Sequence, residues 1–182
     1  MPRALRLSAV LVAAVLSGSA AAQVSPRSTE DSFRQPDSLY DGAAHERRSQ
    51  IVLLGLVVLG WGYGAAGRYS LPLLKDGFLP EVNDSFEVDL GGNIIFPAFG
   101  FATTTLALLA EPRWTFHFTP QLEAYAKLGL GVFIPVLGTF PTVVSPFQVL
   151  AAAGGSYRIG SNLSIRVEAG IGGFMAGAAL DF

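Results

Sequence analysis

Histidines and closely spaced charges are the residues of this chain that could do chemistry. His117 lies in the same two-residue register as Glu111 and Arg113, so the three side chains share one face if the segment is extended. A histidine held near a carboxylate can act as a general base toward a serine or a water molecule. The competing interpretation is an ordinary histidine hydrogen-bonded to a neighbour, and we adopt it. His45 lies in a polar stretch, where solvation is the simplest interpretation.

The sequence carries no recognised catalytic or ligand-binding motif. Glu87 and Asp89 could form a paired-acid site, and Arg166 stands two residues before Glu168, but ion pairing across strands explains both pairs. The chain contains no G-x-S-x-G, no G-x-x-x-x-G-K and no H-E-x-x-H. It has no cysteine, and its two histidines are far apart in sequence. We therefore predict no catalytic residue, no metal site and no cofactor.

The composition indicates a membrane-embedded chain. Charged residues make up 14% of the 182 residues, and 21 residues are glycine, whereas a typical soluble domain has about 25% charged residues. The formal net charge is −2 and no basic patch is visible. Because nucleic-acid binding depends on clustered Lys and Arg, we predict no nucleic-acid partner.

Residues 1–22 are predicted to be a cleaved secretory signal peptide. Arg3 and Arg6 form its positive start, Leu7 to Leu16 form a short apolar core, and the alanines at 20–22 form the cleavage site. The core is too short for a transmembrane helix. Loss of the two arginines leaves 10 basic and 14 acidic residues, a net charge of −4. No cysteine follows the site, which excludes a lipid-anchored lipoprotein.

Residues 23–50 differ from the rest of the chain. They are polar and charged, with few apolar residues and no periodicity. Such a composition is typical of a disordered segment. We predict a disordered leader in the periplasm, which could contact peptidoglycan or another partner in the cell envelope.

The segment from Glu111 to Lys127 shows which elements position the charges. Polar and apolar residues alternate on both sides of a Thr119–Gln121 turn. A period of two is typical of strands, so this segment is predicted to be a β-hairpin with one polar and one apolar face. The polar face carries Glu111, Arg113, Thr115, His117, Glu123, Tyr125 and Lys127; the apolar face carries Pro112, Trp114, Phe116, Phe118, Leu122, Ala124, Ala126 and Leu128.

The same alternation divides residues 51–182 into eight strands. Strands of this length suit a tilted barrel in a membrane, so we predict an all-β fold, an eight-stranded antiparallel up-and-down transmembrane β-barrel. The first strand is uniformly apolar, so its sequence does not show which side chains point into the barrel. The predicted strands are 51–63, 67–74 after a turn at 64–67, 85–96, 103 to the Thr119–Gln121 turn, 122–137, 147–159, 163 to the Gly172–Gly173 turn, and 174–182.

The polar face is predicted to line the interior of the barrel. From the second strand onward the apolar face carries no charge, and the polar face is too sparse in charge for a water-exposed surface. Eight strands enclose a space that side chains fill, and charges inside must pair. We predict an ion-pair network that plugs the lumen, formed by Arg68, Glu87, Asp89, Glu111, Arg113, His117, Glu123, Lys127, Arg158, Arg166, Glu168 and Asp181.

The last predicted strand carries a family resemblance. Apolar residues recur at two-residue steps from Phe174 through Ala176, Ala178 and Leu180 to Phe182. The pattern resembles the C-terminal strand of bacterial outer-membrane β-barrel proteins. That resemblance implies location in the outer membrane, contact with its lipid, and recognition of Phe174, Leu180 and Phe182 by the barrel-assembly machinery.

Several functions and one other architecture remain open at this stage. We favour a barrel with a structural or interaction role that is not an enzyme. A narrow channel for small solutes is an alternative, and a lipid-modifying enzyme would rest on His117 alone. Three uncharged stretches, 49–67, 90–110 and 128–157, could instead form helices of an inner-membrane protein. Prolines and glycines within these stretches argue against helices.

Overall fold

Alternating side chains and short turns fold the chain into eight antiparallel strands. The computed structural model describes residues 33–60, 62–98, 103–137, 146–171 and 173–182. Each strand pairs with its neighbour in sequence, and β1 pairs with β8, so the sheet closes into a barrel. The predicted all-β, eight-stranded antiparallel barrel is confirmed. The strands are β1 (Gln50–Val58), β2 (Gly62–Leu74), β3 (Asp84–Pro97), β4 (Thr104–His117), β5 (Leu122–Leu137), β6 (Phe147–Arg158), β7 (Leu163–Gly170) and β8 (Gly173–Asp181).

The helical alternative is wrong for the described residues. The stretch 49–67 contains β1 and the start of β2, the stretch 90–110 contains parts of β3 and β4, and the stretch 128–157 contains parts of β5 and β6. These stretches lack charge because one strand face is apolar and the other is locally filled by small residues. Within the described ranges, no helix has the length and apolarity needed to cross a membrane.

The predicted boundary between the first two strands is wrong. β1 ends at Val58 and β2 begins at Gly62, so the predicted turn at 64–67 lies inside β2. The small residues there oppose large ones: Gly64 pairs with Leu56, and Ala66 pairs with Leu54. They resemble a turn in sequence because they make room for leucines inside the barrel. The chain turns at Leu59 and Gly60, where Gly60 has φ +77°, a conformation that glycine adopts readily.

The barrel interior has a charged part and an apolar part. Most inward side chains near the end where β1 begins and β8 ends are charged or polar and buried. One apolar cluster lies along β1, β2 and β8 and extends from Val52 and Ala179, near that end, to Leu56 and Met175 farther in. The facing of β1 is therefore defined, because Leu54 and Leu56 point inward whereas Leu53 is 65% exposed on the outside.

The charged end of the barrel is covered by residues 33–49, which we call the cap segment. It has no helix or strand, only turns and bends. The backbone N–H of Asn83 donates to the Leu39 carbonyl (2.7 Å), and Arg47 donates to the Asn83 side-chain oxygen. The long connection 75–83 between β2 and β3 is thus the platform on which the cap segment lies. The predicted signal peptide, the first part of the predicted leader, and most of the connection 138–146 lie outside the described residues.

Candidate functional site

All twelve residues of the predicted ion-pair network lie on the inner face of the barrel near its capped end. Ten of them are buried. Glu123 and Arg158 lie at the rim, where the Arg158 side chain is 40% exposed. Each of the twelve takes part in at least one ion pair with another member. The structure therefore brings together residues spread over β2 to β8.

Arg166 is the centre of this network. Its guanidinium pairs with Asp89 across the barrel and with Glu168 Oε1 at 2.8 Å. Its Nε also donates to the Tyr125 hydroxyl at 2.8 Å. Because the Arg166 side chain is almost fully buried, these contacts replace the water that a guanidinium would otherwise bind.

Two further groups extend the network from Arg166. Lys127 Nζ lies 2.6 Å from Glu168 Oε2 and 3.2 Å from Glu111 Oε1. Both contacts are ion pairs, but neither has the geometry of a hydrogen bond. Glu111 then accepts a 2.6 Å hydrogen bond from Arg68. The second group runs from Asp89 through Arg113, at 3.8 Å, to Glu87. These eight buried charges thus form one connected cluster, and His117 and Asp181 pair separately with Glu123 and Arg158 at the rim.

Tyr125 is a member of the site that the predicted network left out. Its ring lies between two guanidinium groups, with Arg113 at 5.1 Å and Arg166 at 4.7 Å from the ring centroid. Cations over an aromatic face are attracted by its quadrupole. Tyr125 pairs with Gly154 on β6, where no side chain competes for space. The sequence already placed Tyr125 on the polar face of the hairpin, because it alternates with Glu123 and Lys127.

A Gly154→Ala variant is expected to destabilise the barrel by about 1–3 kcal/mol, the usual cost of overpacking. A Cβ at Gly154 would lie 2.5 Å from the Tyr125 ring and 2.5 Å from the Val167 carbonyl oxygen, so the ring must leave its place between the arginines. Gly67→Ala is the control, because a Cβ there meets nothing closer than 3.9 Å. Urea unfolding in detergent measures both; equal losses would contradict the packing role of Gly154.

His117 lies between a carboxylate and a serine hydroxyl, as a catalytic histidine does, but this serine is buried. Its Nδ1 lies 3.2 Å from Glu123 Oε1, and its Nε2 lies 2.9 Å from the Ser85 hydroxyl. That hydroxyl also donates to Glu87 Oε1 at 3.0 Å. A serine has one hydroxyl proton, and both Glu87 and His117 lie within reach of it. Ser85 is fully buried, so it is not presented to a substrate.

The predicted solvation of His45 is wrong. Its side chain is only 6% exposed, because the cap segment folds its ring against the connection 75–83. Asp37 and Asp41 offer carboxylate oxygens near its Nε2, so the three residues form a group with metal-ligand atoms within 4.8 Å of one another. Backbone N–H groups of Asp37 and Ala43 donate to Asp41 and lower the pKa of its carboxyl group. The four-residue spacing of Asp37, Asp41 and His45 was the sequence signal.

The three predicted assembly-signal residues lie on the outer face of the barrel. Phe174, Leu180 and Phe182 are each about half exposed. The Phe182 ring packs 5.8 Å from that of Tyr69 on β2. Their recognition by an assembly machinery stays a prediction.

No protein-family model matches the sequence, and no similar protein was found among curated proteins.

Proposed function

We propose that this chain is an outer-membrane β-barrel with a structural or interaction role, a lumen filled by side chains, and no enzymatic activity. The observation that carries the proposal is the facing of the barrel wall. Buried Arg, Lys, Asp and Glu side chains lie inside, and large apolar side chains lie outside. A barrel in water has the opposite arrangement, with an apolar interior and a polar surface.

The outer surface supports lipid as the surroundings of the barrel. Leu128 and Leu130 on β5 are 62% and 67% exposed, and Val149 on β6 is 66% exposed. Val149 pairs directly with Leu130, so these side chains form a continuous apolar surface across strands. Soluble monomers rarely expose apolar patches larger than a few hundred Å², whereas a membrane barrel requires such a band. Outer-membrane lipid is therefore the first proposed partner.

The interior argues against the alternative of a solute channel. The charged layer closes one half of the lumen by direct contacts such as Arg166 to Glu168. The apolar cluster around Leu54, Leu56 and Met175 lies along β1, β2 and β8. A conducting pore needs a continuous polar path, and the closed layer of ion pairs interrupts it. The proposed role is consequently carried by the outer surface and the ends of the barrel.

The capped end is the proposed side for partners. With eight strands, both ends of the described chain lie at the capped end, together with the short connections 118–121 and 159–162. Connections at the opposite end are no longer, since 59–61 and 171–172 span three and two residues, so we choose the capped end for its exposed charged cap segment and not for connection length. The cap segment exposes charged residues there, among them Arg34, Glu46 and Arg48. We propose that residues 23–50 contact an envelope partner, and that the barrel-assembly machinery inserts the chain.

Cell fractionation combined with heat-modifiability tests the proposed function. The protein is expected in the outer-membrane fraction after a carbonate wash, and its unboiled form is expected to migrate faster on a gel than its boiled form. The reason is that a closed barrel stays folded in detergent until it is heated. Recovery in the soluble or inner-membrane fraction would refute the proposed location. Equal migration before and after boiling would refute a stable detergent-resistant barrel.

A further inference from the structure

The cap segment and the connection 75–83 together gather three carboxylates around one buried imidazole. His45 Nε2 lies 3.4 Å from Asp41 Oδ2 and 3.7 Å from Asp37 Oδ1, and His45 Nδ1 lies 3.7 Å from Asp76 Oδ1. The imidazole is 6% exposed, and these three carboxylates lie within 4 Å of its nitrogens. Carboxylates at this density repel one another unless a positive charge lies between them.

The distances around Nε2 are long for hydrogen bonds and right for shared coordination. Hydrogen bonds between nitrogen and oxygen have lengths of about 2.7–3.2 Å. Two ligands bound to one tetrahedral zinc ion at about 2.0–2.2 Å stand about 3.3–3.6 Å apart. The His45–Asp41 separation of 3.4 Å lies within that range, and the His45–Asp37 separation of 3.7 Å lies just beyond it.

The second imidazole nitrogen faces a third carboxylate, with Asp76 Oδ1 at 3.7 Å, beyond direct hydrogen bonding. A metal-bound histidine usually directs its other ring nitrogen at a carboxylate, which orients the ring. Asp76 stands on that side of His45, and its Oδ1 also accepts the His45 backbone N–H at 3.0 Å. Asp41 is held in the same way, since its two oxygens accept the N–H groups of Asp37 (2.8 Å) and Ala43 (3.0 Å).

We propose that Asp37, Asp41 and His45 bind a divalent transition-metal ion, Zn²⁺, with Asp76 orienting the histidine. One imidazole and two carboxylates suit zinc, whereas calcium takes six or more oxygen ligands. A cavity of about 120 Å³ lies beside Asp41 and His45, on the side of Asp76 and not of Asp37. The Asn83 side-chain nitrogen lies 3.3 Å from Nε2, and zinc at Nε2 displaces it.

Zinc at this site fixes the cap segment over the charged end of the barrel. The ion joins three points of the cap segment, and Asp76 belongs to the connection 75–83 beneath it. Arg47, which reaches Asn83, follows two residues after the ligand His45. The metal therefore controls how firmly residues 33–49 are held, and with them the surface proposed for an envelope partner.

The full chain without an affinity tag, folded in detergent, is titrated with zinc chloride in a calorimeter. One Zn²⁺ per chain is expected to bind. His45→Ala is expected to abolish binding, and Asp76→Asn to weaken it by about 10-fold or more, the usual effect of removing an orienting partner. Glu46→Gln is the control, because Glu46 is exposed and lies next to the site. Its zinc affinity is expected to equal that of the wild type.

The rate of trypsin cleavage after Arg47 and Arg48 measures how firmly the cap segment is fixed over the barrel. Zinc at 100 times its dissociation constant is expected to slow cleavage by up to about 100-fold, and the His45→Ala variant is expected to lose this protection. Absence of zinc binding, or binding that persists in His45→Ala, would overturn the site. Binding without protection would overturn its anchoring role. Neither readout depends on where the barrel resides in the cell.

Discussion

An Arg166→Met variant is expected to lose about 3–5 kcal/mol of unfolding free energy, the cost of leaving buried charges without their partner. Arg166 touches two carboxylates and the Tyr125 hydroxyl, and its side chain is almost completely enclosed. Methionine matches the arginine side chain only as far as Nε, so the change removes the charge, the hydrogen bonds and the terminal atoms of the guanidinium while the stem remains.

The expected loss of unfolding free energy follows from the carboxylates that remain when Arg166 is replaced. Asp89 is fully buried and keeps only Arg113, at 3.8 Å, and the Ser70 hydroxyl, at 2.6 Å. Glu168 keeps Lys127 at 2.6 Å. One negative charge in the cluster then lacks compensation in a space that water enters poorly. Tyr125 also loses one of the two cations that flank its ring.

Arg158→Met is the control for this variant. Arg158 pairs with Asp181 at 3.3 Å and with Glu123 at 4.0 Å, but its side chain is 40% exposed. Water reaches the Arg158 side chain, and the buried Asp181 keeps a 2.9 Å hydrogen bond from Gln50, so the control is expected to lose clearly less stability than Arg166→Met. Urea unfolding in detergent micelles, followed by tryptophan fluorescence, measures both variants. Losses of similar size would mean that the interior is as well solvated as the rim.

A double variant separates the unpaired charge from lost packing. Combining Arg166→Met with Asp89→Asn removes one negative charge along with the positive one. Part of the stability lost in the single variant is then expected to return, because the two residues contact each other and their effects do not add. A double variant as unstable as the sum of both single changes would assign the loss to packing alone.

The alternation of residue types allowed the strands and their facing to be predicted from sequence. Charges such as Glu111 and Arg113 at two-residue steps indicate strands directly, because they share one face of a strand and diverge around a helix. The first two strands could not be divided in this way. From Ile51 to Gly67 both faces are apolar or small, so the sequence carried no period to mark where β1 ends.

The partners within the network depend on barrel closure, which the sequence does not encode locally. Arg166 and Asp89 are 77 residues apart and lie on non-adjacent strands, β7 and β3. Their contact depends on the curvature of the sheet. The grouping of Asp37, Asp41 and His45 was missed for a related reason. A polar, aperiodic stretch resembles a disordered one until a platform such as the connection 75–83 holds it in place.

A Leu130→Arg variant gives the sharpest distinction between a barrel in lipid and a barrel in water. It is expected to cost about 2–4 kcal/mol in unfolding free energy when the protein is folded into lipid vesicles, the range for arginine on the lipid face near the membrane centre. Leu130 lies near the middle of β5, points outward and is 67% exposed. No interior contact changes, so the penalty would come from lipid alone.

Leu122→Arg is the control because Leu122 begins β5, faces outward and is 45% exposed. Near the interface the penalty falls to about 0–1 kcal/mol, since the arginine reaches the headgroups. A soluble barrel would tolerate both changes, because an arginine on a water-exposed strand face costs little. Unfolding free energies in urea measure the difference. A depth-dependent penalty requires a bilayer around β5. Two equally small effects would contradict the proposed membrane barrel.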